Sequence, residues 1–317
     1  MGNKPLVLVI AGATATGKSA LAFRLAKQFS AEIISADSAQ VYRGMDIGTA
    51  KPEPEEVREV PHHLIDILSP QERFDVRTFC RLADRAILDI HRRGRLPIVV
   101  GGTGLYIRAL TEGYRFSESP PDPELRQYLE RNYQRHGLDW LREQWRKTVP
   151  SQFADKVDTA NPRRLIRSIE IFSSGKGEES PGTLESRPYR DLKFILHLPR
   201  DLLREQIHRR LKRQMQQGFV SEVIRILDNG ISSESPGLQV LGYREIVRYL
   251  KGEFSYRRLF DLLERNTARF AKRQETWFRK EPHAHWLPAA DPEYAYGFLC
   301  QELELALAAG RRNFNEK

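Results

Sequence analysis

The stretch "LVLVIAGATATGKSALAFRLAKQF", residues 6–29, limits what this chain can fold into more than any other. A short apolar run rich in β-branched residues leads into the pattern G-x-x-x-x-G-K-S, Gly12 to Ser19, and apolar positions at helical spacing follow. A strand that turns through glycines into a helix points successive N–H groups at phosphate oxygens, and the helix adds its positive dipole end. In this loop Gly12, Ala13, Thr14, Ala15, Thr16 and Gly17 wrap the phosphate, Lys18 pairs with its terminal oxygens, and Ser19 offers a hydroxyl to Mg²⁺. ATP or GTP is the immediate ligand suggested. Whether it is the right one depends on the rest of the site.

Strand and helix signals alternate through residue 116. "EIISAD" reads as a second strand, "VRTFCRLADRAILDIHRRG" as a helix stopped at Gly94, "LPIVVGG" as a third strand and "TGLYIRALTEG" as the start of another helix. This order predicts an α/β fold with a P-loop NTPase-like parallel sheet, its ligands lying at the carboxyl ends of the strands. At "SESPPDPE" the pattern changes, and helical stretches follow around 124–146 and 161–174. "SSGKGEESPGTLESRP" (173–188) reads as a mobile loop and "LKFILHLP" as a strand that rejoins the sheet. Residues 1–116 and 188–317 are thus expected to form the core with helix-rich C-terminal segments, and 117–187 a helical insertion. Helices are expected around 200–216, 219–229, 239–250 and 255–281.

The charge of +9 is concentrated: residues 200–280 hold 18 basic and 10 acidic side chains, with "FSYRRLF" and "ETWFRK" placing aromatics among them. Such a surface suits a polyanion with exposed bases, and equally a set of solvated helix faces. No apolar run approaches the roughly 18 residues needed to span a bilayer. Cys80 and Cys300 lack metal-ligand spacing and form no disulfide framework. A cytoplasmic, monomeric protein without membrane contact is the expectation.

A nucleotide-hydrolysing P-loop enzyme needs an acidic residue near the end of a neighbouring strand to hold Mg²⁺. "LPIVVGGTG" is the strand placed to carry it, and it ends in glycines and a threonine. The acid stands instead after the second strand, at Asp37 of "IISADSAQVYRGMDIGTAKP". A carboxylate there can accept a proton from an attacking nucleophile, or can cap a turn. The first reading favours group transfer over hydrolysis.

"GATATGKS", "SADSAQVYRGMDIGTAKP", "HHLIDI", "VVGGTGLYIRAL", "GYREI" and "AKRQETWFR" together resemble the tRNA dimethylallyltransferases, also called tRNA isopentenyltransferases, in the right order from about Leu6 to Leu287. The resemblance implies that the loop holds the diphosphate of dimethylallyl diphosphate. The exocyclic amine of the adenine just 3′ of a tRNA anticodon then attacks the first carbon of the dimethylallyl group. It implies Asp37 as proton acceptor, with Lys18, the loop amides, Mg²⁺ on Ser19 and Arg210 stabilising the departing diphosphate. Arg210 lies in "EQIHRRLKRQM", where Arg209 and Arg213 compete for the assignment. Thr103 is matched to a tRNA contact and grouped with these catalytic residues, N-capping being its other reading.

Further tRNA contacts implied by the resemblance are Asp37, Ser38, Ala39 and Gln40, then Arg126, then Arg163, Arg164, Leu165, Ile166 and Arg167. Gln239, Val240, Leu241, Gly242, Tyr243 and Arg244 form another segment. Lys272, Arg273, Gln274, Glu275, Thr276, Trp277, Phe278 and Arg279 form the last. Leu165, Ile166, Val240 and Leu241 read equally as core. An adenine of the anticodon stem-loop must leave its stack to reach Asp37.

Family members usually have proline at the position of Ala13 and serine at that of Thr16, and the chain lacks the Cys/His zinc finger of eukaryotic members. The adjacent His62 and His63 point opposite ways on an extended segment and read as structural. An adenylate isopentenyltransferase or a small-molecule P-loop kinase remains the alternative.

Overall fold

The computed structural model describes residues 4–114, 116–117, 119, 122–175 and 189–315. They separate into two compact units, Met1–Glu112 with Arg187–Lys317, and Gly113–Ser186. Most of the proposed mobile loop, residues 176–188, lies outside the described residues.

The first unit is built on a six-stranded sheet in which every pairing is parallel. Its strands are β1 (Leu6–Gly12), β2 (Ala31–Ser35), β3 (His62–His63), β4 (Leu96–Gly101), β5 (Arg190–His197) and β6 (Ala284–Pro288), in the order β3-β2-β4-β1-β5-β6. Val7 to Ala11 of the central strand β1 have no exposed surface. A parallel strand covered on both faces needs an unbroken apolar run, which is why "LVLVIAG" does not alternate. Helices α1 (Lys18–Gln28) and α11 (Pro292–Asn315) pack on one face; α3 (Val76–Arg92), α4 (Gly104–Thr111) and α10 (Tyr256–Phe278) pack against the other. A short α2 (Pro54–Glu59) precedes β3.

One charge is embedded in that second face. Lys193 of β5 is fully buried, and its Nζ donates to Glu281 Oε1 and Thr111 Oγ1, both at 2.8 Å. Arg108 donates to the other oxygen of Glu281 at 3.0 Å. The network ties the ends of α4 and α10 to the sheet, and removal of one partner would leave a buried charge uncompensated.

Beyond β5, α7 (Arg200–Gln216), α8 (Phe219–Asp228), α9 (Tyr243–Leu250) and α10 close a second core around Leu203, Ile207, Phe219, Tyr243, Leu259 and Leu263. The expected helix over 239–250 is shorter at its start. Pro236–Gln239 forms a 3₁₀ turn, and Gly242 at φ 95° breaks the path before α9. Strands β3 and β6 and helix α11 had no place in the expected element order; so short a strand as β3 gives no periodic signal.

The second unit pairs α5 (Pro123–Thr148), broken at Gly137, with α6 (Pro162–Ser173). Its core is Leu129, Leu141, Trp145, Leu165, Ile166 and Ile169.

Candidate active site

The cleft lies where the carboxyl ends of β1, β2 and β4 meet α7 and α10. Thr14, Lys18, Ser19, Asp37, Gln40, Gly101, Gly102, Arg210 and Gln274 line it, with Ile33, Ile65 and Phe270 supplying apolar wall. Counting space open to solvent, it encloses about 700 Å³.

The loop is held tightly from within. Lys18 Nζ donates to Ala13 O at 2.6 Å, and Thr16 Oγ1 donates to the same carbonyl at 2.9 Å. Gly17 starts α1 in the left-handed region, φ 85°. Burial pushes the Lys18 ammonium down from 10.5 to about 7; the charge of Arg210 adds to the fall, and Asp37 opposes it. Burial also lowers the Arg210 guanidinium, again against Asp37. Two cationic side chains whose charge burial disfavours describe a site that gains from a bound anion.

Asp37 reaches this loop from β2, which is not adjacent to β1: β4 runs between them. Two glycines make the approach possible. A Cβ on Gly101 would lie 2.1 Å from Ala36 O, and one on Gly102 2.2 Å from Gln274 Nε2. At Gly101 a side chain would strike backbone, so a metal-binding acid does not fit there without a shift; at Gly102 it would displace the end of the Gln274 side chain. Close packing against Ala36 thus goes with the glycine that ends β4. Asp37 Oδ1 accepts from the N–H groups of Ala39 (2.8 Å) and Gln40 (3.4 Å). Turn capping thus fixes the carboxyl, and Oδ2 has no hydrogen-bond partner among the described residues.

Arg210 stands apart from its neighbours. Its Nη1 donates to Thr14 Oγ1 at 3.1 Å, whereas Arg209 is exposed and pairs with Glu205, and Arg213 is exposed. Thr103 occupies the N-cap position of α4 with no side-chain capping bond; its N–H goes to Ala36 O at 3.3 Å.

The remaining sequence candidates divide by exposure. Ser38, Arg163, Arg164, Gln239, Arg244, Lys272, Arg273, Thr276 and Arg279 are exposed, and Val240, Leu241, Glu275 and Trp277 are half-buried. In the insertion, Arg126 and Arg167 both donate to Glu170 Oε2, at 2.7 and 3.3 Å. Leu165, Ile166, Tyr243 and Phe278 are buried, each with no more than 5% exposed, and their side chains pack in the cores. Ala39 and Gln274 are also buried. Gln40 faces inward, accepting from Ser35 Oγ at 2.8 Å and donating to Thr49 O and Ala50 O.

Glu222 escaped notice in the sequence. Buried on α8, it accepts the N–H groups of Asp46, Ile47 and Gly48 and the Tyr243 hydroxyl, fixing the 46–50 loop that walls the cleft. Gln214 donates to Ile47 O and Gly48 O from α7. A Glu or Gln on an amphipathic helix carries no local sign of such a role. His62 lines the cleft, its charged form disfavoured by burial, while His63 pairs with Glu32 at 2.7 Å.

A second, larger groove runs between α7 and α10. Arg200, Arg204, Arg265, Arg269, Lys272 and Arg279 line it, with Trp286 41% exposed beside them. None of these six cations forms an ion pair among the described residues. No helix among those residues is long and apolar enough to cross a membrane.

The family model for IPP transferase matches residues 40–281, and that for isopentenyl transferase matches residues 5–67. The tRNA dimethylallyltransferase of Thermomicrobium roseum is 42% identical over 97% of this chain and 93% of its own. The full-length tRNA isopentenylpyrophosphate transferase of Bacillus halodurans superposes with a TM-score of 0.71 at 37% identity, covering 98% of this chain and all of that one. A eukaryotic dimethylallyltransferase acting on tRNA gives a TM-score of 0.74 at 27% identity, over 90% of this chain and 74% of that one.

Proposed function

The chain belongs to the tRNA dimethylallyltransferase family, and from this premise we propose the reaction and the part each cleft residue takes in it. The enzyme transfers a dimethylallyl group from dimethylallyl diphosphate to the exocyclic amine of the adenine 3′-adjacent to the anticodon. A C–N bond forms at the first carbon of the group, the C–O bond to diphosphate breaks, and diphosphate leaves with the electron pair. The amine is a weak nucleophile because its lone pair is delocalised into the ring. Asp37 accepts its proton, a contribution of roughly 10²–10⁴-fold. Lys18, Arg210 and the loop amides stabilise the charge that grows on the leaving group.

The observation that carries this reading is Asp37 in one cleft with Lys18, Ser19 and Arg210, while β4 ends at Gly101, where a side chain would strike the Ala36 carbonyl. The Ser19 hydroxyl is a hard oxygen donor lining that cleft, which fits Mg²⁺ completed by water and diphosphate oxygens. A bound Mg²⁺ would neutralise charge on the diphosphate. The α7–α10 groove supports a tRNA contact made through phosphates, with Trp286 available to stack on a base. In the insertion, the exposed Arg163 and Arg164 are available to the anticodon arm, while Arg126 and Arg167 are held by Glu170.

The test is incubation with dimethylallyl diphosphate and either bulk tRNA or AMP, ATP omitted, followed by mass analysis of the nucleosides. Dimethylallyl adenosine is expected from tRNA. Strict dependence on ATP would instead support a kinase, and modification of AMP alone an adenylate isopentenyltransferase.

A further inference from the structure

Gln274 belongs to the α10 segment that the family resemblance assigns to tRNA, yet its side chain turns away from any RNA surface. It is 7% exposed, and both ends of its amide are used within the cleft wall. Oε1 accepts the N–H of Thr14, in the phosphate loop after β1, at 2.8 Å. Nε2 donates to the carbonyl of Gly102, in the turn after β4, at 2.9 Å. The amide fills the space a side chain on residue 102 would need. Thr14 is thereby gripped twice, its N–H by α10 and its hydroxyl by Arg210 of α7.

We propose that Gln274 is a positioning residue for the diphosphate: its amide clamps the phosphate loop to the end of β4, and it does not bind tRNA. Only a carboxamide performs this task, because the loop presents a donor and β4 an acceptor. A carboxylate would face the Gly102 carbonyl with a second acceptor, and an apolar side chain would leave the half-buried Thr14 N–H without this partner, a loss felt directly by the loop. The lysines and arginines around it on α10 face solvent and are free for a different ligand. The proposal rests on dimethylallyl diphosphate occupying this cleft.

The experiment measures Kd for dimethylallyl diphosphate and, separately, for tRNA in wild type, Gln274→Met, Gly102→Ala and Lys18→Ala, with melting curves for each. Gln274→Met is expected to raise the dimethylallyl diphosphate Kd about tenfold, the scale of one lost hydrogen bond, and to leave the tRNA Kd unchanged. Gly102→Ala keeps the glutamine but displaces its amide, and should reproduce the selective loss; it decides the matter alone if Gln274→Met does not fold. Weakened tRNA binding with unchanged dimethylallyl diphosphate affinity would overturn the proposal. So would no change in either Kd while Lys18→Ala still loses dimethylallyl diphosphate. If Lys18→Ala also binds normally, the diphosphate reading of the cleft fails and the proposal with it.

Discussion

Arg210 and Thr14, 196 residues apart in sequence, are joined by a 3.1 Å hydrogen bond from the guanidinium Nη1 to the threonine hydroxyl. The bond places one arginine of a basic helix over the phosphate loop and leaves its neighbours in solvent. Arg210→Ala is expected to slow dimethylallyl transfer by about 10²-fold, the usual cost of one donor aimed at developing charge. Arg209→Ala, whose partner is Glu205 on the outer face, should be close to wild type. Single-turnover rates check both, and equal losses would give Arg210 no part in transfer that its exposed neighbour lacks.

Asp37→Asn keeps the capping oxygen that receives the Ala39 and Gln40 N–H groups, so the turn and the tRNA affinity should persist. An amide cannot take the proton of the attacking amine. Transfer at saturating substrates should fall by about 10²-fold or more. A near-normal rate would leave Asp37 only its turn-capping role.

The lowered Lys18 ammonium makes diphosphate binding depend on pH. With a ligand-free value of about 7 against the usual 10.5, Lys18 loses its proton as pH rises through 7. A diphosphate favours the charged form, so binding raises that value and takes up a proton. Affinity should therefore be highest below pH 7 on the lysine's account and should decline between pH 7.5 and 8.5, where the ligand itself is already ionised. Calorimetry in two buffers of different ionisation enthalpy at pH 8 should register proton uptake in wild type and none in Lys18→Met. Absence of uptake in wild type would mean the ammonium is already charged at pH 8.

Arg204 and Lys272 stand on opposite walls of the α7–α10 groove without ion-pair partners among the described residues. If both touch phosphate, changing both to alanine should weaken tRNA binding and shallow the log-affinity versus log-salt slope by about 1.4, roughly 0.7 for each contact to single-stranded RNA. A salt series on wild type and the double variant measures this. Dimethylallyl diphosphate affinity is the control and should not move. An unchanged slope would leave the groove as solvated surface.

Much of the core was legible because local pattern and buried surface coincide there. The apolar run of β1, the glycines of the loop and the spacing on α1 and α3 each report a face that is covered. Legibility failed where one residue's neighbours come from elsewhere in the chain. In α10, Lys272 and Gln274 are two polar residues of one helix, yet the first meets solvent and the second is enclosed by Thr14 and Gly102. Tyr243 and Phe278 sit in motifs that read as RNA contacts, and the cores around them take the whole ring.

By itself the sequence determined that a strand, a phosphate loop and a helix would follow one another, that the acid would come from "SADSAQ" and that β4 would end without one. Those features depend on backbone conformations and periodicities set within a few residues. Tertiary structure alone decided that Asp37 crosses the end of β4 to the loop, and that Arg210 and Gln274 close on Thr14. It also decided that Glu222 holds the cleft wall. Sheet order and helix docking are settled by which distant apolar faces bury each other. A polar side chain on such a helix shows its role only when that packing delivers its partner.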